Sequence, residues 1–166
     1  MDLTIRDATD TDRISIAELH SASWMSAYAS ILPAHFLEGV EERHRRQWAT
    51  LPSSGFVLIG EQAGETVGFG AVLEPDPGSG ELLLDNLHVA PKTRSSGVGS
   101  RLLTAVFERA RSTTSNRLYL WVLEDNVGAR RFYRRHGGIE TVTRVEDLDP
   151  RTEAEERRVE WWLPLR

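Results

Sequence analysis

The residues best suited to chemistry lie in one short run, Arg94-Ser95-Ser96-Gly97-Val98-Gly99-Ser100. Small side chains let a backbone come close to a ligand, and glycine admits backbone angles that other residues avoid. A helix starting here presents unpaired N–H groups and the positive end of its dipole, which together suit phosphate. Arg94 and Arg101 add guanidinium groups for charge-assisted contacts. A tight strand-to-helix turn with no ligand accounts for a Gly-x-Gly pair equally well. Two familiar phosphate motifs do not fit. There is no Gly-x-x-x-x-Gly-Lys run followed by Ser or Thr, and Leu102 stands where a dinucleotide fingerprint needs its third glycine.

The elements that must position this run can be read around it. Residues 82–89, Leu-Leu-Leu-Asp-Asn-Leu-His-Val, are apolar on both alternating faces and read as a strand covered on both sides. Ala90-Pro91-Lys92-Thr93 breaks it. Val98, Leu102, Leu103, Val106, Phe107 and Ala110 then recur at helical spacing. After a polar break at 112–116, residues 117–123 read as another buried strand, so strand, helix and strand imply a right-handed parallel crossover. A further helix runs from a cap at Asp125 or Asn126 to Gly137, with Ala129, Phe132, Tyr133 and His136 on one face.

Upstream, residues 3–6 form a short strand. Asp10 or Thr11 caps a helix with Ile14, Ala17, Ser21 and Trp24 inward and Tyr28 one turn on. Pro33 opens a second helix with Phe36, Val40 and Trp48 inward. Residues 55–61 and 66–74 make a hairpin about Gln62-Ala63-Gly64-Glu65. Residues 141–145 and 157–163 are the last strands. The connector 146–156 holds six acidic residues against one Arg, and reads as a solvated loop or as a negative rim that attracts a cation.

Composition removes several classes. At 166 residues the chain suits a single domain, 1–166. Its longest apolar run is far short of a membrane span, so no membrane partner is expected. The start, Met1-Asp2-Leu3-Thr4-Ile5-Arg6, has no signal-peptide pattern, which makes a cytoplasmic location the expectation. A net charge of −5 disfavours nucleic acid as a partner. The absence of cysteine removes disulfides, thiolate metal sites and a cysteine nucleophile. The histidines have no His-Glu-x-x-His spacing, so no metal is expected, and there is no Gly-x-Ser-x-Gly elbow. Exposed edge strands would support a homodimer.

Arg94-x-x-Gly97-x-Gly99, after a Leu-His-Val strand end and a Pro, resembles the acetyl-CoA loop of the GNAT acyltransferase superfamily. Residues 118–138 resemble its second signature: a strand, Asn126, a helix start with Ala129-Arg130, then Phe132-Tyr133 and a Gly terminus. The family more often has Gly-Phe where this chain has Gly137-Gly138. The resemblance implies an α/β (α+β) fold with a mixed, mainly antiparallel sheet of about seven strands. Four helices cover its two faces, and the fourth and fifth strands are parallel and splay apart to admit pantetheine. It implies an N-acetyltransferase that moves the acetyl group of acetyl-CoA directly to a primary amine of a small molecule. Acetylation of a protein or peptide, and non-catalytic acyl-CoA binding, are the alternatives.

The resemblance also assigns roles. Backbone groups of Leu87, His88 and Val89 pair with pantetheine amides, and Val89 N–H meets the carbonyl oxygen. Arg94, Ser95, Ser96, Gly97, Val98, Gly99 and Ser100 cradle the pyrophosphate. Asn126 bonds near the pantetheine arm, and Tyr133 points at the sulfur as proton donor. Asp85 is the leading candidate for the general base, with His88 second and a water chain as the alternative. Trp24, Tyr28 and Phe36 are candidates for the acceptor wall, with core packing as their other role.

Overall fold

The computed structural model describes residues 2–164. One sheet organises them. Its strands are β1 (Thr4–Asp7), β2 (Phe56–Gln62), β3 (Glu65–Leu73), β4 (Glu81–Val89), β5 (Arg117–Leu123), β6 (Ile139–Asp149) and β7 (Thr152–Trp162). They lie in the order β1-β2-β3-β4-β5-β7-β6. Every neighbouring pair is antiparallel except β4 and β5, which are parallel. The helices are α1 (Arg13–Tyr28), α2 (Ala34–Leu37), α3 (Val40–Gln47), α4 (Val98–Arg111) and α5 (Val127–Arg135).

Two apolar layers hold the sheet. On one face Ile16, Ala17 and Leu19 of α1, with Trp48, cover Val57, Ile59, Phe69 and Ala71. On the other, Leu103, Val106 and Ala110 of α4 pack on Leu58, Val72, Leu82, Leu84, Leu118, Leu120 and Val159. Tyr133 and Phe132 of α5 pack against that second cluster. Each fully buried Leu or Val side chain contributes roughly 1.5–3 kcal/mol of transfer free energy.

Four details depart from the sequence reading. The single helix expected after Pro33 is two, because Glu38 is extended and separates α2 from α3, so five α-helices stand among the described residues rather than four. Ile14 is 74% exposed rather than inward. The buried face of α1 carries Ile16, Leu19, His20, Ser21 and Ser23, a half-polar stripe that apolar spacing alone does not reveal. The cap of α1 is Asp12, whose carboxylate accepts from the Thr9 amide at 2.7 Å and from Arg6. Residues 146–156 are not a loop. They are the paired ends of β6 and β7, Glu146 opposite Ala154 and Asp147 opposite Glu153, with only the tip turning.

A bulge in β4 re-aims one residue. Ala71 of β3 pairs with Asn86 and Val72 with Leu84, so Asp85 is the extra residue between them. Bulges of this kind bend a strand and redirect a side chain.

Candidate active site

The parallel pair creates the site. β4 and β5 share a ladder only at Glu81–Arg117, Leu82–Leu118 and Leu83–Tyr119. Beyond these pairs the strands part, β4 continuing to Val89 and β5 to Leu123. The far edge of β4 stays bonded to β3, with Leu87, His88 and Val89 opposite Gly70, Phe69 and Gly68. Because alternate residues of β4 bond to β3, the edge facing β5 offers the peptide groups of Leu87 and Val89 to whatever enters the gap. An extended chain bearing amides would complete that ladder as an added strand.

At the end of β4 the chain passes through a 3-10 turn, Pro91–Thr93, into the glycine loop. Ser95 (φ 64°) and Gly97 (φ 86°) are both left-handed, which curls the loop ahead of α4. The first α4 bond runs from Arg101 N–H to Gly97 C=O, so the amides of Val98, Gly99 and Ser100 precede the helix ladder. A Cβ at Gly97 would meet no atom within 4 Å, so the space above the loop is open. His136 fixes the Ser100 side chain. Its Nδ1 donates to Phe132 C=O at 2.8 Å, leaving Nε2 to accept from Ser100 Oγ at 3.0 Å. Loop and open strand edge together fit a pyrophosphate with an amide-bearing arm, and the group that combines them would bring an activated acetyl thioester into the gap. Arg101 is turned elsewhere, donating to Leu3 C=O at 2.9 Å.

Acetyl-CoA at about 100 times its dissociation constant should stabilise the fold by roughly 2.7 kcal/mol, read as a melting shift. Gly97→Val should shrink that shift. A β-branched residue resists φ 86°, and its side chain stands where phosphate must approach. Calorimetry should show affinity weakened about tenfold or more, equivalent to the loss of roughly 1.4 kcal/mol of contact. Wild-type affinity in a folded variant would remove Gly97 from the site.

The mouth of the gap is bordered by α1 and α5. Asn126 caps α5, its Oδ1 accepting from Ala129 N–H at 3.2 Å, and its side chain also bonds Tyr28. With the oxygen engaged as a cap, the amide NH2 is the group left to face the Tyr28 hydroxyl. Tyr133 lies one helix face away, with its ring centroid 5.3 Å from Phe132 and 5.9 Å from Trp161. Burial, and then the nearby Tyr28, push its hydroxyl well above the ordinary phenol value, so it holds its proton throughout the working pH range. The unusual Gly138 has a packing reason. A Cβ there would stand 2.5 Å from Val159 Cγ1 and 2.8 Å from Trp161 Cζ2.

Asp85 projects from the bulge and accepts from Asn86 Nδ2 at 2.8 Å. The residue is exposed, yet crowding strips enough water from its carboxyl to raise its pKa, opposed by the Asn86 bond. Trp24, Tyr28 and Phe36 meet as one aromatic wall, with Trp24 4.7 Å from Tyr28 and 5.2 Å from Phe36. His88 turns its imidazole away into the layer beneath α1, 3.1 Å from Ser23 Oγ. Burial first, then His44 and Arg94, lower it to about 3, which leaves it a weak base.

The sequence reading did not find the cluster around His88. His20 stacks on His44 at 3.6 Å, lies 4.6 Å from His88, and accepts from Trp48 Nε1 at 3.0 Å through Nδ1. Ser21 Oγ lies 3.0 Å from His44 Nδ1. The spacing of His44 and Trp48, four apart on one helical face, was the available signal. A second unread contact is His35 of α2, which lies 3.0 Å from Thr152 Oγ1 and 3.2 Å from Asp149. It ties the β6–β7 tip to the segment before α3. Between them opens a cleft of about 510 Å³ lined by residues 31–33, 123–125 and 151–155.

Comparison with known proteins agrees with this geometry. The model of the Acetyltransferase (GNAT) family matches residues 16–138. A probable N-acetyltransferase of Mycobacterium tuberculosis is 29% identical, covering 80% of this chain and 78% of that protein. The spermine/spermidine N(1)-acetyltransferase of Bacillus subtilis is 26% identical, covering 82% of this chain and 88% of its own length. The crystal structure of PaiA N-acetyltransferase from Thermoplasma acidophilum, in complex with coenzyme A, has a TM-score of 0.73 at 19% identity, over 96% of this chain and 98% of that one. No helix among the described residues is long and apolar enough to cross a membrane. With its splayed parallel strands, its glycine loop and a family match over most of its length, this chain belongs to the GNAT acetyltransferase family and is an acetyl-CoA-dependent N-acetyltransferase.

Proposed function

We propose that the acceptor is a small primary amine, cationic in solution, and that it is acetylated directly. The cleft beside the aromatic wall carries the reading. Its lining includes Asp125, Glu153 and Glu155 against the single lining cation Arg151, with Glu124 already paired to Arg130 and Arg157. Its volume suits a small ligand. Carboxylates at its rim favour an alkylammonium, and the separate wall of Trp24, Tyr28 and Phe36 offers aromatic faces that suit the same group. Similarity to a protein named for spermine and spermidine supports the same class.

Each chemical role then falls to a residue of this chain. An alkylammonium with a pKa near 10.4 must lose a proton before it attacks. Asp85, raised by desolvation, takes that proton. The Val89 N–H, on the open edge of β4, meets the oxygen that gains negative charge. Tyr133 keeps its proton for the leaving sulfur.

Thiol release from acetyl-CoA across spermidine, short diamines, amino acids, aminoglycosides and peptides tests the reading. Turnover is expected on the cationic small amines, with kcat/KM falling as ionic strength rises, since steering by the acidic rim is screened within about 10 Å at 0.1 M salt. Turnover confined to peptides, or a flat salt profile for a charged amine, would overturn it.

A further inference from the structure

Arg94 opens the phosphate loop, yet its guanidinium reaches helix α1. Nη1 donates to Ser26 Oγ at 2.8 Å. Nη2 donates to Ser23 C=O at 3.0 Å and to Ser23 Oγ at 3.2 Å. Ser23 Oγ also lies 3.1 Å from His88 Nδ1, so the bridge runs on to β4. A guanidinium has five N–H donors in a fixed plane. These bonds engage both hydrogens of Nη2 and one of Nη1. Nε–H and the second Nη1–H remain for a ligand, so one side chain can hold a phosphate and α1 together.

The helix it holds is the one that carries the aromatic wall. Ser23 and Ser26 are spaced three apart, on the side of α1 that meets Arg94. Trp24 and Tyr28 are spaced four apart and pack on each other, with Trp24 also against Phe36 and His44. Fixing the first pair fixes the second, because all four share one helical turn or its neighbour.

We propose that Arg94 is a positioning residue that couples the two substrate sites. Occupancy of the phosphate loop stiffens α1 through Arg94, and so sets Trp24 and Tyr28 for the acceptor. The inference rests on the aromatic wall being the acceptor side, as read above. Coupling of this kind is reciprocal, so an acceptor held against the wall also tightens acetyl-CoA.

Hydrogen exchange of residues 13–28 in the full chain, with and without saturating acetyl-CoA, tests this without any acceptor. Calorimetric affinity is measured alongside for wild type, Ser26→Ala and Arg94→Met. In wild type, acetyl-CoA should slow exchange in the second half of α1 about fivefold, the net size of one ordinary hydrogen bond. Ser26→Ala leaves every group of the phosphate loop in place. It should bind acetyl-CoA within about twofold of wild type, the loop being unchanged, and keep protection of residues 94–100, but lose part of the protection in α1, the Nη2 bonds to Ser23 remaining. Arg94→Met should lose the α1 protection and weaken acetyl-CoA as well. Exchange in α1 that ignores acetyl-CoA in wild type, or that slows equally in Ser26→Ala, overturns the proposal. Failure of the small-amine reading shows instead in the acceptor panel and leaves these exchange data untouched.

Discussion

Tyr133→Phe should lower kcat by about 10²–10⁴ while acetyl-CoA affinity stays near wild type. The loss corresponds to roughly 3–5 kcal/mol of barrier at about 1.36 kcal/mol per tenfold. The substitution keeps the ring, and the ring is what packs on Phe132 and Trp161. Only the donor is removed. The structure adds a pH signature. Because burial raises this hydroxyl, Tyr133 should impose no falling limb on the rate below the alkaline extreme. The defect should also shrink with an acyl donor whose thiol leaves more readily. Stopped-flow or single-turnover measurement separates chemistry from product release. A Phe variant that turns over at the wild-type rate in a single turnover would sink the acid role.

The second large effect concerns acid stability, and it comes from the three imidazoles beneath α1. Burial lowers His20 to about 2, His44 to about 4 and His88 to about 3, from an ordinary 6.5. Their depressed values make the unfolded chain the better proton acceptor. Stability is thus complete above pH 6.5 and declines as pH falls toward the folded values. At pH 5 all three are still neutral in the folded chain. Each then costs roughly 2 kcal/mol, being about 1.5 pH units at 1.36 kcal/mol per unit. Three such losses rival the 5–15 kcal/mol that holds a typical domain together. Paired carboxylates such as Asp12, itself near 2 beside Arg6, do not contribute in this window, since unfolded carboxylates titrate only below about 4.5. Urea unfolding at pH 7 and pH 5 is the measurement. Equal midpoints would show that these imidazoles are hydrated and able to charge in place.

The contrast between these two sites shows what the chain reveals by itself. The loop at 94–100 and the cap at Asn126 sit in contiguous stretches, where spacing and cap chemistry are visible in the letters, while the role of Tyr133 came from the resemblance of its stretch to a family signature. The strands around them were equally visible, because apolar runs such as residues 82–89 and 117–123 have no other comfortable state. The histidine cluster was hidden because residues 20, 44 and 88 come from three separate elements. The direction of Arg94 was hidden for the same reason, since it depends on where α1 lands. Ser21 was read inward and is buried, but the face of α1 was otherwise misjudged because His20 and Ser23 are buried with partners, which period-3.6 apolar counting scores as surface. The β6–β7 ends looked like a loop because they form a run of like charge, six acidic residues against one Arg. Cross-strand pairs such as Arg144 with Glu156 neutralise them only once the hairpin has formed.

The three-rung contact between β4 and β5 has a mechanical side. Strands β1–β4 with α4 form one hydrogen-bonded half, and β5, β7 and β6 form the other. Among the described residues, main-chain bonds between the β4 and β5 segments gather at one end, along residues 80–83 and 116–119. Elsewhere the two are joined by side chains: the apolar contacts of Leu103, Val106, Leu118, Leu120 and Val159, the ion pairs of Glu81 with Arg117 and Arg158, and the Ser100–His136 bond. Greasy contacts tolerate small rotations that hydrogen-bond ladders resist, because dispersion and burial have little directionality. The sheet therefore carries a built-in hinge line, and the wedge that opens from it is the part of the molecule whose width can breathe without breaking a single rung.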